Sequence, residues 1–448
     1  MGFQSVVNWI ISMTQLCLPL FRREVKFSQI SFFGNGKNMK SNVITFGCRL
    51  NACESEIIED FVKELGLDDF TVINTCAVTA EAERKLRQTI RRLYSENNEV
   101  KIILTGCAAE LNPNFYISMD GVVGIISNNI KLSKDEYEKY SRINNDSKQQ
   151  IISEKSKIKK IRGFLQIQNG CDQKCTYCVV RITRGANVSF DEDDIVEQAK
   201  NLIKKGYKDI VLTGVNISAY GRDMTPRKNL AYIVNYILRH APEVKRLGLS
   251  SLDPADIDDD LIKILGNEER LLPHIHESIQ SGDNLILKRM MRRHSREQVI
   301  EKNAKILDVR NEVVFGADII CGFPTETDEM FMNTKKLLKE AQITLLHAFP
   351  FSKRPGTPAA QVPGVDRKVA HERVRELKTL AQEILHNKLQ EYIGKKVTIL
   401  AEDSKHAKTN SFLKVVSTEK IETGKEYLFQ CERAENDHLM GRPIREKI

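Results

Sequence analysis

Gly170-Cys171-Asp172-Gln173-Lys174-Cys175-Thr176-Tyr177-Cys178 follows directly on an apolar run, residues 164–168, that reads as a β-strand. The C-x3-C-x2-C spacing crowds three thiols into one loop at a strand's carboxyl end. Thiolates so close repel one another, so a cation is expected among them. A structural zinc normally takes four protein ligands, usually as paired C-x2-C knuckles. Three thiolates suit a [4Fe-4S] cluster with one iron left open, because such clusters are held by cysteine thiolates. An open iron can chelate the amino and carboxylate groups of S-adenosylmethionine (SAM). A structural or purely redox role for the three cysteines is the competing reading.

Downstream of the loop, further strands are expected at residues 210–213, 246–250, 274–280, 313–320 and 344–349. Helical stretches lie between them, at 192–205, 230–239 and 328–341. Six βα units predict a partial (β/α)6 barrel, since the closed form needs eight. A long helix over 367–392 leads out. The tail, 393–448, carries short β-like runs at 397–401, 412–416 and 427–430, enough for a small all-β module.

Upstream, three apolar runs at 43–46, 70–74 and 100–104 each end near a cysteine: Cys48, Cys76 and Cys107. The cysteines are 28 and 31 residues apart, close to one βαβ unit of ~30 residues. Helices are expected between them at 55–65 and 80–94. Parallel strands joined by right-handed crossovers put all three cysteines on the carboxyl edge, where open α/β sheets bind ligands. Small buried residues at strand ends are the plainer alternative. This open parallel α/β domain spans 39–130. Residues 131–160 are polar without apolar period and read as a linker to a barrel domain at 161–392. Residues 1–38 read as a dispensable extension, with a membrane-associating segment as the alternative, because 2–21 carry no charge. Nothing later resembles a membrane span.

The composition is that of a folded chain with room for several domains. Of 448 residues, 41% are hydrophobic and 29% charged, which excludes disorder. Ten cysteines are too sparse for a disulfide scaffold. Lys+Arg minus Asp+Glu is 68 − 60 = +8, which permits an anionic partner without requiring one.

The three-cysteine loop on the first strand of an αβ barrel resembles the radical SAM superfamily. There the cluster's electron cleaves SAM into methionine and a 5′-deoxyadenosyl radical. Shorter motifs narrow the likeness: Thr45-Phe-Gly-Cys48-Arg-Leu-Asn51, Asn74-Thr-Cys76-Ala-Val-Thr79, Thr105-Gly-Cys107-Ala108, Gln280-Ser-Gly-Asp283, Lys288-Arg-Met-Met-Arg-Arg-His294, Asp318-Ile-Ile-Cys-Gly-Phe-Pro324 and Arg354-Pro-Gly-Thr-Pro358. With both cysteine sets they resemble the methylthiotransferases, which carry a three-cysteine domain before the barrel and a small β module, TRAM, after it. The resemblance spans residues 42–448. It implies two [4Fe-4S] clusters, one on Cys171, Cys175 and Cys178 and an auxiliary one on Cys48, Cys76 and Cys107, with SAM as cofactor. It implies tRNA as partner, an electron donor such as flavodoxin or ferredoxin, a cytoplasmic location and no stable membrane partner. The Cys-Ala-Val-Thr and Arg-Pro-Gly-Thr-Pro wording is closest to the type acting on N6-threonylcarbamoyladenosine at position 37 of tRNA. The isopentenyladenosine type and the ribosomal-protein aspartate type fit less well. A non-catalytic, metal-stapled RNA-binding protein is the alternative from another class. The chemistry agrees with the resemblance: the C2–H of adenine is not acidic, so its replacement by a methylthio group calls for a radical cofactor.

Other residues carry weaker expectations. Tyr177 is expected near the adenine of SAM, or as a packed loop aromatic. Thr213 and Gly214 end the second barrel strand, where the SAM amino group would bind, and Gly214 could equally serve a turn. Ser250 and Asp253 end the third and could meet the ribose. His274 and His276 share one inward face, as satisfied interior histidines rather than metal ligands. Glu277 falls on the helix-facing side, where the family usually has an apolar residue. Arg84, Lys85, Arg87, Arg91 and Arg92 on one helix, and Lys288, Arg289, Arg292 and Arg293 on another, are solvated faces or tRNA contacts. Cys17, Cys53, Cys321 and Cys431 fall outside both triads and are not expected to be ligands. After the cysteine loop the family reads Ile-Pro-x-x-Arg-Gly. Here Arg181 replaces the proline, which puts that loop's geometry in question, while Arg184 and Gly185 remain.

Overall fold

The computed structural model describes residues 42–141 and 161–447. The expected 1–38 extension with Cys17, and residues 142–160 of the expected linker, lie outside the described residues.

The first layer is a parallel sheet of β1 (Val43–Thr45), β2 (Phe70–Thr75), β3 (Lys101–Gly106) and β4 (Val122–Ile126), in that spatial order. Val72, Ile73, Ile102, Ile103 and Leu104 are fully buried. That is the signature of parallel strands covered on both faces. Helices α1 (Arg49–Glu64) and α2 (Ala80–Glu96) make the crossovers. Thr79 starts α2, its side chain accepting from Ala82 N, with Glu81 and Glu83 complementing the helix dipole.

The stretch expected as linker from residue 131 belongs instead to this domain. Residues Lys134–Ser141 form α3. Tyr137 is fully buried and donates to Lys131 O at 2.9 Å. Lys131 Nζ lies 2.5 Å from Glu54 Oε2, both side chains buried. A polar composition hid an interior ion pair.

The barrel is two parallel triplets. The first is β5 (Arg162–Gln166), β6 (Asp209–Thr213) and β7 (Leu247–Leu249); the second is β8 (His274–Gln280), β9 (Val314–Cys321) and β10 (Ile343–Pro350). A parallel bridge between Leu252 and Glu277 joins them. Helices α4 (Glu192–Lys204), α5 (Leu230–His240), α6 (Asp259–Asn267), α7 (Arg296–Val309) and α8 (Asp328–Glu340) follow the strands. They bury a continuous core that includes Ile210, Leu212, Ile233, Ile275 and Ile279. A capping box of Ser295 and Gln298 starts α7. On the sheet's first edge α1 packs along β5, with Cys53 Sγ 3.3 Å from Phe164 O.

Glu277 is wholly buried in this core. Its Oε2 accepts from Asn303 Nδ2 at 3.1 Å, while Oε1 has no partner among the described residues and can carry the proton. Burial lifts its pKa from 4.5 to about 8, against the pull of Asn303 and Lys302. The unfolded chain ionises this group near its ordinary value and the folded one only near 8. Stability should therefore fall as pH rises through that window, by at most roughly 1.4 kcal/mol per pH unit. Glu277→Gln should remove that slope in urea unfolding at pH 5, 6.5 and 8. An unchanged slope would show the carboxyl ionised and accommodated in the fold.

Helix α9 (Arg367–Gln390) runs from the barrel to the last module, a closed barrel of β11 (Lys396–Ala401), β12 (His406–Thr409), β13 (Lys414–Ser417), β14 (Glu426–Glu435) and β15 (His438–Lys447). The spatial order is β11-β12-β13-β15-β14. Closure removes the edge strands that an open sheet of this size would expose. Phe412, expected within a strand, instead sits in the β12–β13 turn with a left-handed backbone, φ 67°. Arg246 links the module to the barrel: it pairs with Asp209 on β6 and, through Nη1, with Glu426 Oε1 at 3.2 Å.

Candidate functional site

The register of the N-terminal sheet brings the ends of β1, β2 and β3 level, and each is followed by one cysteine of the upstream set. Cys76 and Cys107 are buried, and Cys48 is exposed. Two glycines make the cradle. Gly47 has φ 103°, and a Cβ there would lie 2.8 Å from Cys76 Sγ. Gly106 has φ 93°, and a Cβ there would lie 2.4 Å from Thr75 N. Burial pushes the Cys76 thiol up to about 12, and the Cys48 and Cys107 thiols add to it. Although the Cys48 residue as a whole is exposed, desolvation of its thiol raises its pKa, in the field of Cys107 and, with opposite effect, of Arg184. Three thiols in one another's field, over a glycine that leaves room at sulfur, fit a metal cluster as ligand set.

Arg184 reaches this triad from the barrel side. Its Nε donates to Cys107 Sγ at 3.3 Å. Its Nη2 donates to Asn51 Oδ1 at 2.6 Å, and its Nη1 to Glu54 Oε1 at 2.7 Å and Asn169 Oδ1 at 3.2 Å. Arg184 ends the single helical turn Val180–Arg184 that follows Cys178, so one residue ties the two cysteine sets together. Arg181, which replaces the usual proline, is exposed on that turn, and the turn forms without the proline.

The barrel loop is held as firmly. Gly170 has φ 67°, and a Cβ there would fall 1.7 Å from Ala186 O. Thr176 N donates to Met290 O at 3.2 Å, and Thr176 Oγ1 to Arg289 O at 2.9 Å. Burial pushes the Cys178 thiol up to about 12 and raises Cys171, and the three thiols of this loop act on one another. Arg292 was expected on a solvated or RNA-facing surface; it is instead buried behind the loop. Its Nη1 lies 3.6 Å from Cys175 Sγ and 3.3 Å from Gln173 Oε1, and its Nη2 donates to Ser278 O at 2.7 Å. Of the basic run 288–293 only Arg292 turns inward; Lys288, Arg289 and Arg293 stay exposed, Arg293 pairing with Asp253 and Asp256 and Arg289 donating to Thr325 Oγ1 at 2.6 Å.

The expected SAM contacts divide. Thr213 is buried at the end of β6. Gly214 is close-packed: a Cβ there would lie 2.8 Å from both Gln168 O and Gln168 Oε1, so local packing alone requires glycine. Ser250 is buried, its N donating to Leu212 O at 3.0 Å. Asp253 is fully engaged. Gln173 Nε2, Arg292 and Arg293 all reach its oxygens. Burial alone would raise its carboxyl, but His294, Arg292, Gln173 and Arg293 hold it well below the usual range. Tyr177 packs edge-on to Phe323 at 6.5 Å, beside Ile286 and Met290. In the barrel interior, His276 Nε2 and His347 Nδ1 both face Asp318 Oδ1, at 3.0 and 3.3 Å. His276 thus has its partner. His274 instead packs at a tilt against Phe412, ring centroids 4.8 Å apart and planes 41° from parallel.

On α2, Arg91 and Arg92 are exposed, Arg84 pairs with Glu81 at 2.6 Å, and Arg87 acts on the Tyr116 hydroxyl. Lys85 is half-buried on the same helix. Arg354, quoted above only as part of a motif, is a docking residue. It is buried, with Nη1 on Ala77 O at 3.2 Å and Glu83 Oε2 at 2.9 Å. Asn128 Nδ2 to Thr183 O at 2.6 Å adds a second tie between the layers.

Among known families, the model described as Radical SAM superfamily matches residues 165–338, and that described as Uncharacterized protein family UPF0004 matches 40–126. A curated relative, "Threonylcarbamoyladenosine tRNA methylthiotransferase MtaB" of Rickettsia prowazekii, is 44% identical over 84% of this chain and 91% of its own. The protein of the same description from Bacillus subtilis is 33% identical over 80% and 84%. "tRNA-2-methylthio-N(6)-dimethylallyladenosine synthase" of Bacillus subtilis is 33% identical over 85% and 79%. A solved radical S-adenosylmethionine methyltransferase, TsrM from Kitasatospora setae, shares the fold, with TM-score 0.51 at 12% identity over 71% of this chain and 77% of that one.

Proposed function

The chain belongs to the tRNA methylthiotransferase family of radical SAM enzymes, and from that membership we propose that it converts N6-threonylcarbamoyladenosine at position 37 of tRNA to its 2-methylthio derivative. The carrying observation is the 44% identity to a relative described by that substrate, against 33% for the dimethylallyl type.

The family's cofactors are SAM and two [4Fe-4S] clusters, and the two thiol triads fit them. Cys171, Cys175 and Cys178 would hold the cluster that binds SAM, and Cys48, Cys76 and Cys107 the auxiliary one. When bound, the first supplies the electron for SAM cleavage and the second a place for the transferred sulfur. The chain's own residues do the rest. Arg292 and Gln173 fix the barrel loop from behind. Thr213, Gly214 and Ser250 line the edge where SAM would lie, with Tyr177 beside it. Arg184, Arg354 and Asn128 hold the N-terminal domain over that edge, so both triads serve one substrate base. The exposed side of α2, with Arg84, Lys85, Arg87, Arg91 and Arg92, would meet phosphates, together with the small barrel at 393–448. No helix among the described residues is long and apolar enough to cross a membrane. A cytoplasmic enzyme reduced by flavodoxin or ferredoxin fits this reading.

Mass spectrometry of tRNA nucleosides from a strain lacking the gene tests it. The 2-methylthio-N6-threonylcarbamoyl nucleoside should vanish, its precursor should accumulate, and a plasmid copy should restore it. Loss of the 2-methylthio-isopentenyl nucleoside instead would overturn the substrate assignment.

A further inference from the structure

Arg49 is the first residue of α1, directly after Cys48. Its guanidinium is half-buried and has neither hydrogen-bond nor ion-pair partner among the described residues. It lies in the field of Asp318 and Arg162, and itself acts on His274 and Lys408. Arg162 opens β5, His274 opens β8 and Asp318 lies on β9, so these charges come from both barrel triplets, and α1 itself packs along β5.

The other charged groups there already have contacts. Arg162 Nη2 lies 2.9 Å from Asp209 Oδ2 and 3.5 Å from Glu402 Oε1, and Lys408 Nζ lies 3.3 Å from the same Glu402 oxygen. Asp318 gives Oδ1 to two imidazoles. An arginine withdrawn from water without a partner is costly, and its planar fork suits a carboxylate. Phe412 meets two of these neighbours, its ring lying 4.7 Å from Arg162 Cζ and 4.8 Å from the His274 ring. Its left-handed backbone is a conformation that an aromatic residue holds only under constraint. His276, Asp318 and His347 bring three ligating atoms within 4.8 Å, as a metal site would. The positive field of Arg49 opposes a further cation there and favours an anion.

We propose that Arg49 binds the free carboxylate of the threonyl group on the substrate base and thereby selects this substituent over an uncharged one. The inference rests on the substrate reading above. That reading requires sulfur to arrive at C2 from the site held by Cys48. N6 lies across N1 on the same flank of the adenine ring, so the residue next to Cys48 stands on the side where the substituent must go. A dimethylallyl group offers an arginine nothing to bind.

The test is binding of the reconstituted full-length protein to anticodon stem-loops with three nucleosides at position 37: N6-threonylcarbamoyladenosine, its methyl ester and N6-dimethylallyladenosine. Wild type should prefer the acid over the ester by about 10- to 100-fold, the range of a charged hydrogen bond. Arg49→Gln should bring the acid's Kd to that of the ester and leave the ester's unchanged. Arg49→Lys should keep part of the preference. Iron content and the reduced-cluster electron paramagnetic resonance spectrum should match wild type in both variants. If Arg49→Gln still prefers the acid, another residue holds the carboxylate and the proposal falls while the substrate reading stands. If wild type prefers the dimethylallyl stem-loop, the substrate reading falls first. Loss of iron from both variants would also overturn it, because Arg49 would then serve the Cys48 loop.

Discussion

Cys76→Ala is expected to abolish the methylthio product while SAM is still cleaved, whereas Cys175→Ala should abolish both. Cys175 belongs to the loop that Arg292 and Thr176 pin against the barrel. Removing one of its three thiols removes the iron site at which SAM binds. No 5′-deoxyadenosine should form, and tRNA should stay unmodified. Cys76 directly follows β2 in the other domain, against Gly47. Its loss leaves the barrel triad and its supports untouched, so 5′-deoxyadenosine should still appear on reduction. No sulfur would then be held where the base is activated. Chromatography of 5′-deoxyadenosine and mass spectrometry of digested tRNA read the two outcomes. Methylthiolated product from Cys76→Ala would refute the sulfur-carrying role. Complete loss of SAM cleavage in that variant, with the barrel iron retained, would show the two sites coupled more tightly than their separate supports imply.

The second large effect is on stability. Arg184→Leu should lower resistance to urea by about 3–5 kcal/mol in the transition of the N-terminal domain, as breaking a buried ion pair does. Arg184 and Glu54 are nearly inaccessible, with side-chain exposures of 2% and 0%. The carboxylate serves Lys131 as well. Without Arg184, Lys131 keeps one oxygen of Glu54, but the other, with Asn51 Oδ1 and Cys107 Sγ, loses its donor. Auxiliary iron should become easier to remove with a chelator. Wild-type stability together with wild-type iron retention would show that Arg184 is replaceable by water.

What the sequence disclosed follows from periodicity and spacing. Parallel strands buried on both faces read as plain apolar runs, so β1 to β3 and the six barrel strands were legible, and the cysteines at their ends came with them. The fourth strand, Val122–Ile126, carries no such marker, because no cysteine or motif follows it. In the terminal module β12 reads His-Ala-Lys-Thr, too short and polar to signal a strand. Charge was the poorest guide. Lys131, Arg292 and Arg354 resemble surface residues in sequence, yet each is buried against partners distant in the chain. Pairing of that kind depends on tertiary contact and leaves no local pattern. His347 leaves no local signal for the same reason, since its partner Asp318 lies on the neighbouring strand.

The turn Val180–Arg184 separates two kinds of constraint. Arg181 and Ile182 face solvent, whereas Arg184 must arrive under Cys107 six positions after Cys178. The segment therefore behaves as a ruler: its two exposed side chains are free to vary and its length is not. A deletion of one residue there would swing Arg184 by about 100° around the helical turn. The auxiliary triad would lose its tether, while every cysteine kept its place in the alignment.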